Sequence, residues 1–234
     1  MKWMIRTGST PAERARLRVV YAMAGTVFFM PVNLFIMEGF FIIALGLGLY
    51  YCKKYPKLPL RQSPLSLPAV GFALVAFLSL VGSPHFLLGT AFYAFTVLQY
   101  LVLYFGILLF VRHSWERRLL FSTLLLSAFV VALYGLYQYA HMLTLHEAEW
   151  VDNSAFPMLR RRMYSTLYNP NLLSAFLLII MSAAASMMIC TRHRWHHVMY
   201  LAFFAILTLC LILTYSRGAW LSVCALIFFF GLFW

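Results

Sequence analysis

Eight apolar runs, at residues 19–31, 34–52, 66–82, 86–111, 119–142, 171–190, 198–215 and 218–234, are separated by polar stretches of which only one is long. A helix needs about 20 such residues to cross the hydrocarbon of a bilayer, so the pattern predicts an all-α, polytopic transmembrane helical bundle of about eight spans. The first two runs are short, and the chain between 19 and 52 fits two short helices turning near Pro31 and Asn33. Composition agrees: 64% of the residues are hydrophobic and 10% charged, against about 25% charged in a soluble domain.

Basic residues set the expected orientation. Of the 18 Lys and Arg residues, five precede position 19, four lie in 53–61, three in 112–118 and two at Arg192 and Arg194. These clusters fall at every second loop, which predicts that they are cytoplasmic, with both ends of the chain inside. The formal charge of +12 therefore reads as a topology signal, and without an aromatic-basic groove it does not point to nucleic acid. The partner it implies is the lipid bilayer. The basic N-terminal stretch looks like the start of a signal peptide, but no small-residue cleavage site follows, so the first helix is expected to be retained. Cys52, Cys190, Cys210 and Cys224 show no CxxC spacing, which indicates neither a disulfide framework nor a zinc site. The sequence reads as a single transmembrane domain over 1–234. Because it stops at Trp234 inside an apolar run, it is expected to be the N-terminal fragment of a longer protein.

Arg160, Arg161, Arg162 and Arg217 break the positive-inside pattern, since they fall in loops expected outside. The outward loop 143–170 is the only long one, and it also holds Glu147, Glu149 and Asp152. At its end, Asn169 is a good N-cap, Pro170 suits the first helical position, and Asn171 follows. The helix start there faces Arg160 to Arg162 across a short segment, an arrangement suited to an anionic group such as phosphate. A plain cap beside solvated arginines explains the same residues, and Arg162→Ala would then leave folding nearly unchanged.

Thr214-Tyr215-Ser216-Arg217-Gly218 forms a tight outward turn in which Ser216 can cap the next helix and Arg217 sits at the boundary. Snorkelling to lipid head groups is the alternative reading of Arg217. Tyr134, Gln138 and His141 share one helical face and could line an amphipathic cavity, or simply bond between helices. Glu38 is a lone carboxylate in a membrane segment. His193, His196 and His197 have no carboxylate or cysteine beside them in sequence, so no metal is expected. No cofactor is expected either, and no residue pattern identifies a catalytic group.

Residues 135–234 resemble the O-antigen ligase and polymerase family of bacterial membrane proteins. The resemblance rests on Gly135-Leu136-Tyr137-Gln138, Trp150-Val151-Asp152, Phe156-Pro157, Arg162-Met163-Tyr164-Ser165-Thr166-Leu167, Asn169-Pro170-Asn171 and Thr214-Tyr215-Ser216-Arg217-Gly218-Ala219-Trp220-Leu221. It implies a multi-pass protein of the bacterial cytoplasmic membrane that transfers a glycan from an undecaprenyl-diphosphate carrier to an acceptor glycan or glycolipid on the outer face, without a metal. Arg217 matches the arginine taken to bind the diphosphate, with Arg162, Asn169, Asn171, Ser216 and Gln138 as further binding candidates. The family's base histidine and second arginine would follow Trp234, so the resemblance gives this chain part of a donor site without the base. The competing readings are a small-anion transporter of the bicarbonate kind and a non-catalytic membrane subunit.

Overall fold

The computed structural model describes residues 10–55, 62–141, 162–191 and 193–232. Among the described residues it is all-helical, with no strand. Helices are the form in which an apolar segment satisfies its own backbone without water. They are α1 (Pro11–Phe29), α2 (Leu34–Lys54), α3 (Ser66–Leu78), α4 (Phe86–Phe110), α5 (Ser114–Ala140), α6 (Pro170–Cys190), α7 (Arg194–Leu213) and α8 (Arg217–Leu232). Five are long and apolar enough to cross a membrane: α2, α4, α5, α6 and α7. α4 contains a π-helical turn at Ala94–Leu98, the wider winding that accommodates one extra residue in a helix.

The first two helices turn at 30–33, as the sequence suggests. Two starts differ from expectation. α1 begins by Pro11 and α5 at Ser114, so Arg14, Arg16, Arg18, Glu116, Arg117 and Arg118 are helical residues rather than loop residues. Arg16, in the first basic cluster, is 4% exposed and paired with Glu116. Loop residues 142–161, including Glu147, Glu149, Asp152, Arg160 and Arg161, lie outside the described residues, as does Arg192.

The sequence reads as one domain, whereas the backbone gathers into two compact units, Met1–Val27 with Phe35–Phe121, and Phe28–Leu34 with Ser122–Trp234. In the first, Val19, Val20 and Met23 of α1, Met37 and Ala44 of α2, and Leu103 and Phe110 of α4 are buried. Gly106 makes room for this packing, since a Cβ there would come 2.5 Å from the Met23 methyl. In the second unit, Leu173, Leu177, Ile180, Met181 and Ala184 form one buried face of α6, at helical spacing. That face meets Ala128, Val131 and Ala132 of α5 and Leu207, Cys210 and Leu211 of α7 in a single core.

Candidate functional site

The site belongs to the second unit and is organised by the segment 162–168, which is held against α5 and α7 by backbone bonds. Met163 N–H donates to the Leu213 carbonyl at 2.9 Å, and its side chain is fully buried. Gly135 on α5 permits this approach, because a Cβ there would collide with the Met163 methyl. One turn along, the Gln138 side-chain carbonyl accepts from the N–H groups of Tyr164 and Ser165 at 3.1 and 3.2 Å. Ser165 Oγ donates to the Val131 carbonyl at 2.6 Å, and Thr166 Oγ1 donates to the Pro31 carbonyl. Gly135 and Gln138 thus act together on one strip of backbone.

At the end of that strip Asn169 caps α6 as its chemistry predicts. Its side-chain oxygen accepts from Asn171 N at 2.8 Å and Leu172 N at 3.4 Å, with Pro170 at the first helical position. Asn169→Ala is expected to destabilise the protein by about 1 kcal/mol, measured as a shift in the unfolding midpoint in detergent. A midpoint equal to wild type would mean that the cap contributes nothing.

Arg162 joins the end of α7 to the start of α6. Its Nε donates to the Thr214 carbonyl at 2.7 Å, and its Nη2 donates to Asn171 Oδ1 at 3.0 Å. Thr214 is the C-cap of α7, three residues before α8 begins, and Asn171 opens α6, so one guanidinium ties the end of α7 to the N-terminal end of α6. Burial pushes the Arg162 guanidinium below its ordinary value, but arginine keeps its charge in proteins. The bonding revises the expectation that Arg162→Ala leaves folding nearly unchanged. A hydrogen bond to a charged donor contributes about 1.5–3 kcal/mol, so the alanine variant should unfold earlier than Asn169→Ala in the same detergent series.

Arg217 differs from Arg162. It is the first residue of α8, it is exposed, and it makes no hydrogen bond or ion pair among the described residues. Ser216, just before it, is buried at 8% exposure; its N–H donates to Thr214 Oγ1 at 3.3 Å, and its carbonyl accepts from Trp220 N at 3.2 Å. The region therefore offers two helix N-termini, one bound cation and one exposed cation, an arrangement that favours an anionic ligand.

The expected polar stripe on α5 does not line a common cavity. Gln138 is buried against backbone while Tyr134 and His141 are exposed, because the 162–168 segment covers only the face that carries Gly135 and Gln138. Glu38 lies half-buried on α2 in the first unit. The His193 and His196 rings lie 5.1 Å apart, and among the described residues no three His, Cys, Asp or Glu side chains converge as a metal site.

Backbone strain is concentrated here, which sequence reasoning missed. The described non-glycine residues with positive φ are Ser165 at 52°, Tyr168 at 55° and Tyr215 at 51°. All three belong to the 162–168 segment or the α7–α8 turn. Tyr168-Asn169-Pro170 and Tyr215-Ser216-Arg217 each place a tyrosine two residues before a helix start, a spacing that does not itself signal left-handed backbone. No protein-family model, curated protein or solved structure matches the chain.

Proposed function

We propose that the chain binds the diphosphate of an undecaprenyl-linked glycan at the outer face of a bacterial cytoplasmic membrane, as the donor site of an O-antigen ligase-like glycosyl transfer. The observation that carries this reading is the Arg162 bridge from the α7 end at Thr214 to Asn171, which holds the α6 start against the turn from which α8 begins at the exposed Arg217. Arg217 contacts the diphosphate. Arg162 positions the α6 start against the α7–α8 turn and adds its charge to the local field, Asn169, Asn171 and Ser216 shape the starts of α6 and α8, and Gln138 supports the segment behind them. In the reaction the acceptor hydroxyl attacks the anomeric carbon and the bond from that carbon to the diphosphate oxygen breaks. The hydroxyl proton passes to a base that this reading leaves unassigned. Negative charge grows on the departing undecaprenyl diphosphate, and cations and helix ends fixed in place stabilise it.

The same reading takes the chain through the membrane about eight times with both ends inside, so that α6 and α8 start on the outer face and α7 starts within. α3, at 13 residues, spans only about 20 Å at the helical rise of 1.5 Å per residue, short of the roughly 30 Å hydrocarbon core, so its crossing requires local thinning of the bilayer. Single cysteines at Asp152 and His196, in a background without native cysteines, check the orientation. An impermeant thiol reagent on intact cells should label position 152 and spare 196. The reverse pattern would end the outward-site reading.

The binding claim has its own test. The chain in lipid nanodiscs should bind undecaprenyl diphosphate, and Arg217→Ala should weaken that binding by about tenfold, as expected for loss of one charge-assisted contact. No binding by the unaltered chain would remove the proposal.

A further inference from the structure

Two exposed tyrosines at left-handed backbone positions require an explanation. Tyr168, at φ 55°, is 67% exposed, and Tyr215, at φ 51°, is 47% exposed. A positive φ is unfavourable for a bulky side chain, and glycine or asparagine would hold either turn at lower cost. Burial compensates little, because Tyr168 is mostly uncovered and Tyr215 about half so. Among the described residues neither hydroxyl has a hydrogen-bond partner.

Their placement is systematic. Tyr215 directly follows Thr214, whose carbonyl accepts from Arg162, and Tyr168 directly precedes Asn169, which caps the helix that Asn171 opens. Each tyrosine therefore lies within three residues of one of the two groups that Arg162 holds. Tyr168 is also backed by Tyr164, with ring centroids 6.5 Å apart and planes 19° from parallel. Tyr164 is 7% exposed, so a buried ring supports an exposed one and fixes the angle at which its face is presented.

An aromatic face carries partial negative charge and attracts weakly positive C–H groups. A pyranose ring presents such a C–H face, and its hydroxyls bond outward from the ring edge to water or to a phenol. We propose that Tyr168 and Tyr215 are the sugar-contacting residues of this site and stack on the pyranose attached to the carrier diphosphate. The inference rests on the diphosphate reading above and adds the residues that contact the sugar, which that reading leaves unassigned. Lipid-facing tyrosines at a membrane interface are the other known use of exposed rings, but that role places no demand on left-handed backbone.

The test compares two probes on the full chain in nanodiscs: undecaprenyl diphosphate, and the same carrier bearing one N-acetylglucosamine. The unaltered protein should prefer the glycosylated probe by about three- to tenfold, the range that aromatic stacking supplies. Tyr168→Leu and Tyr215→Leu should each lower that preference while leaving affinity for the bare carrier unchanged, and Tyr168→Phe should retain it. Tyr168→Gly should raise the melting temperature and lose the preference, because it relieves the backbone and removes the ring. Binding of both probes without preference by the unaltered protein overturns the sugar assignment and leaves the diphosphate reading standing. Equal weakening of both probes in the leucine variants, or a fall in melting temperature with the preference intact, also overturns it and assigns the rings to structure or lipid anchoring. Binding of neither probe removes both proposals.

Discussion

Under the donor-site reading, Arg217→Ala is expected to lower glycan transfer by about a hundredfold in cells that depend on this protein, the order found when one fixed stabiliser of developing charge is removed. The expectation follows from how differently the two arginines are placed. Arg162 already donates to Thr214 and Asn171, so its removal should act first on structure. Arg217 stands exposed at the first position of α8 with no hydrogen bond or ion pair among the described residues, so its removal should leave the fold intact. Arg217→Lys keeps the charge but loses the planar fork that engages two phosphate oxygens, and it should fall between alanine and wild type. Complementation of a transfer-deficient strain, with protein level checked by blot, measures the effect. Unchanged transfer in a normally expressed Arg217→Ala strain would assign this arginine to lipid head groups instead.

The parts of the fold that were legible in the sequence are those set by local chemistry. Apolar run length located the helices, and the Asn169-Pro170 pair located the start of α6 because both residues act on the backbone immediately around them. Interactions that join distant residues to backbone atoms were not legible. The acceptor for Arg162 Nε is a main-chain carbonyl 52 positions away, and a carbonyl is common to every residue. Gln138 resembles a cavity-lining residue for the same reason, since its partners are the N–H groups of Tyr164 and Ser165. Left-handed tyrosines are hidden too: propensity assigns that backbone region to glycine or asparagine, and only the coordinates reveal where a bulky residue has been placed in it.

Glu116→Ala should be the most destabilising of the substitutions considered, at about 3–5 kcal/mol, the usual consequence of leaving one member of a buried ion pair without its partner. Arg16 and Glu116 have side chains 5% and 0% exposed and meet at 2.7 Å. Each also closes a helix end. Arg16 Nη1 donates to the Phe110 carbonyl, the last residue of α4, at 2.6 Å. Glu116 Oε2 accepts from the N–H groups of Arg112 and His113, just before α5, at 2.7 and 3.1 Å. His113 occupies the N-cap position and Glu116 the third helical position, so the carboxylate makes the reaching-back half of a capping box. The pair therefore lets α4 stop and α5 begin within a few residues, while α1 supplies the cation. Alanine at 116 would leave the Arg16 guanidinium buried and uncompensated, and would also expose two N–H groups. Replacing both members, as Arg16→Met with Glu116→Leu, should recover part of the loss by removing the unpaired charge, but the helix ends would still lack their partners. Unfolding in detergent separates these effects. A Glu116→Ala midpoint no lower than that of Asn169→Ala would show that the ion pair contributes no more than an ordinary cap, and the junction between α4 and α5 would then be held by apolar packing alone.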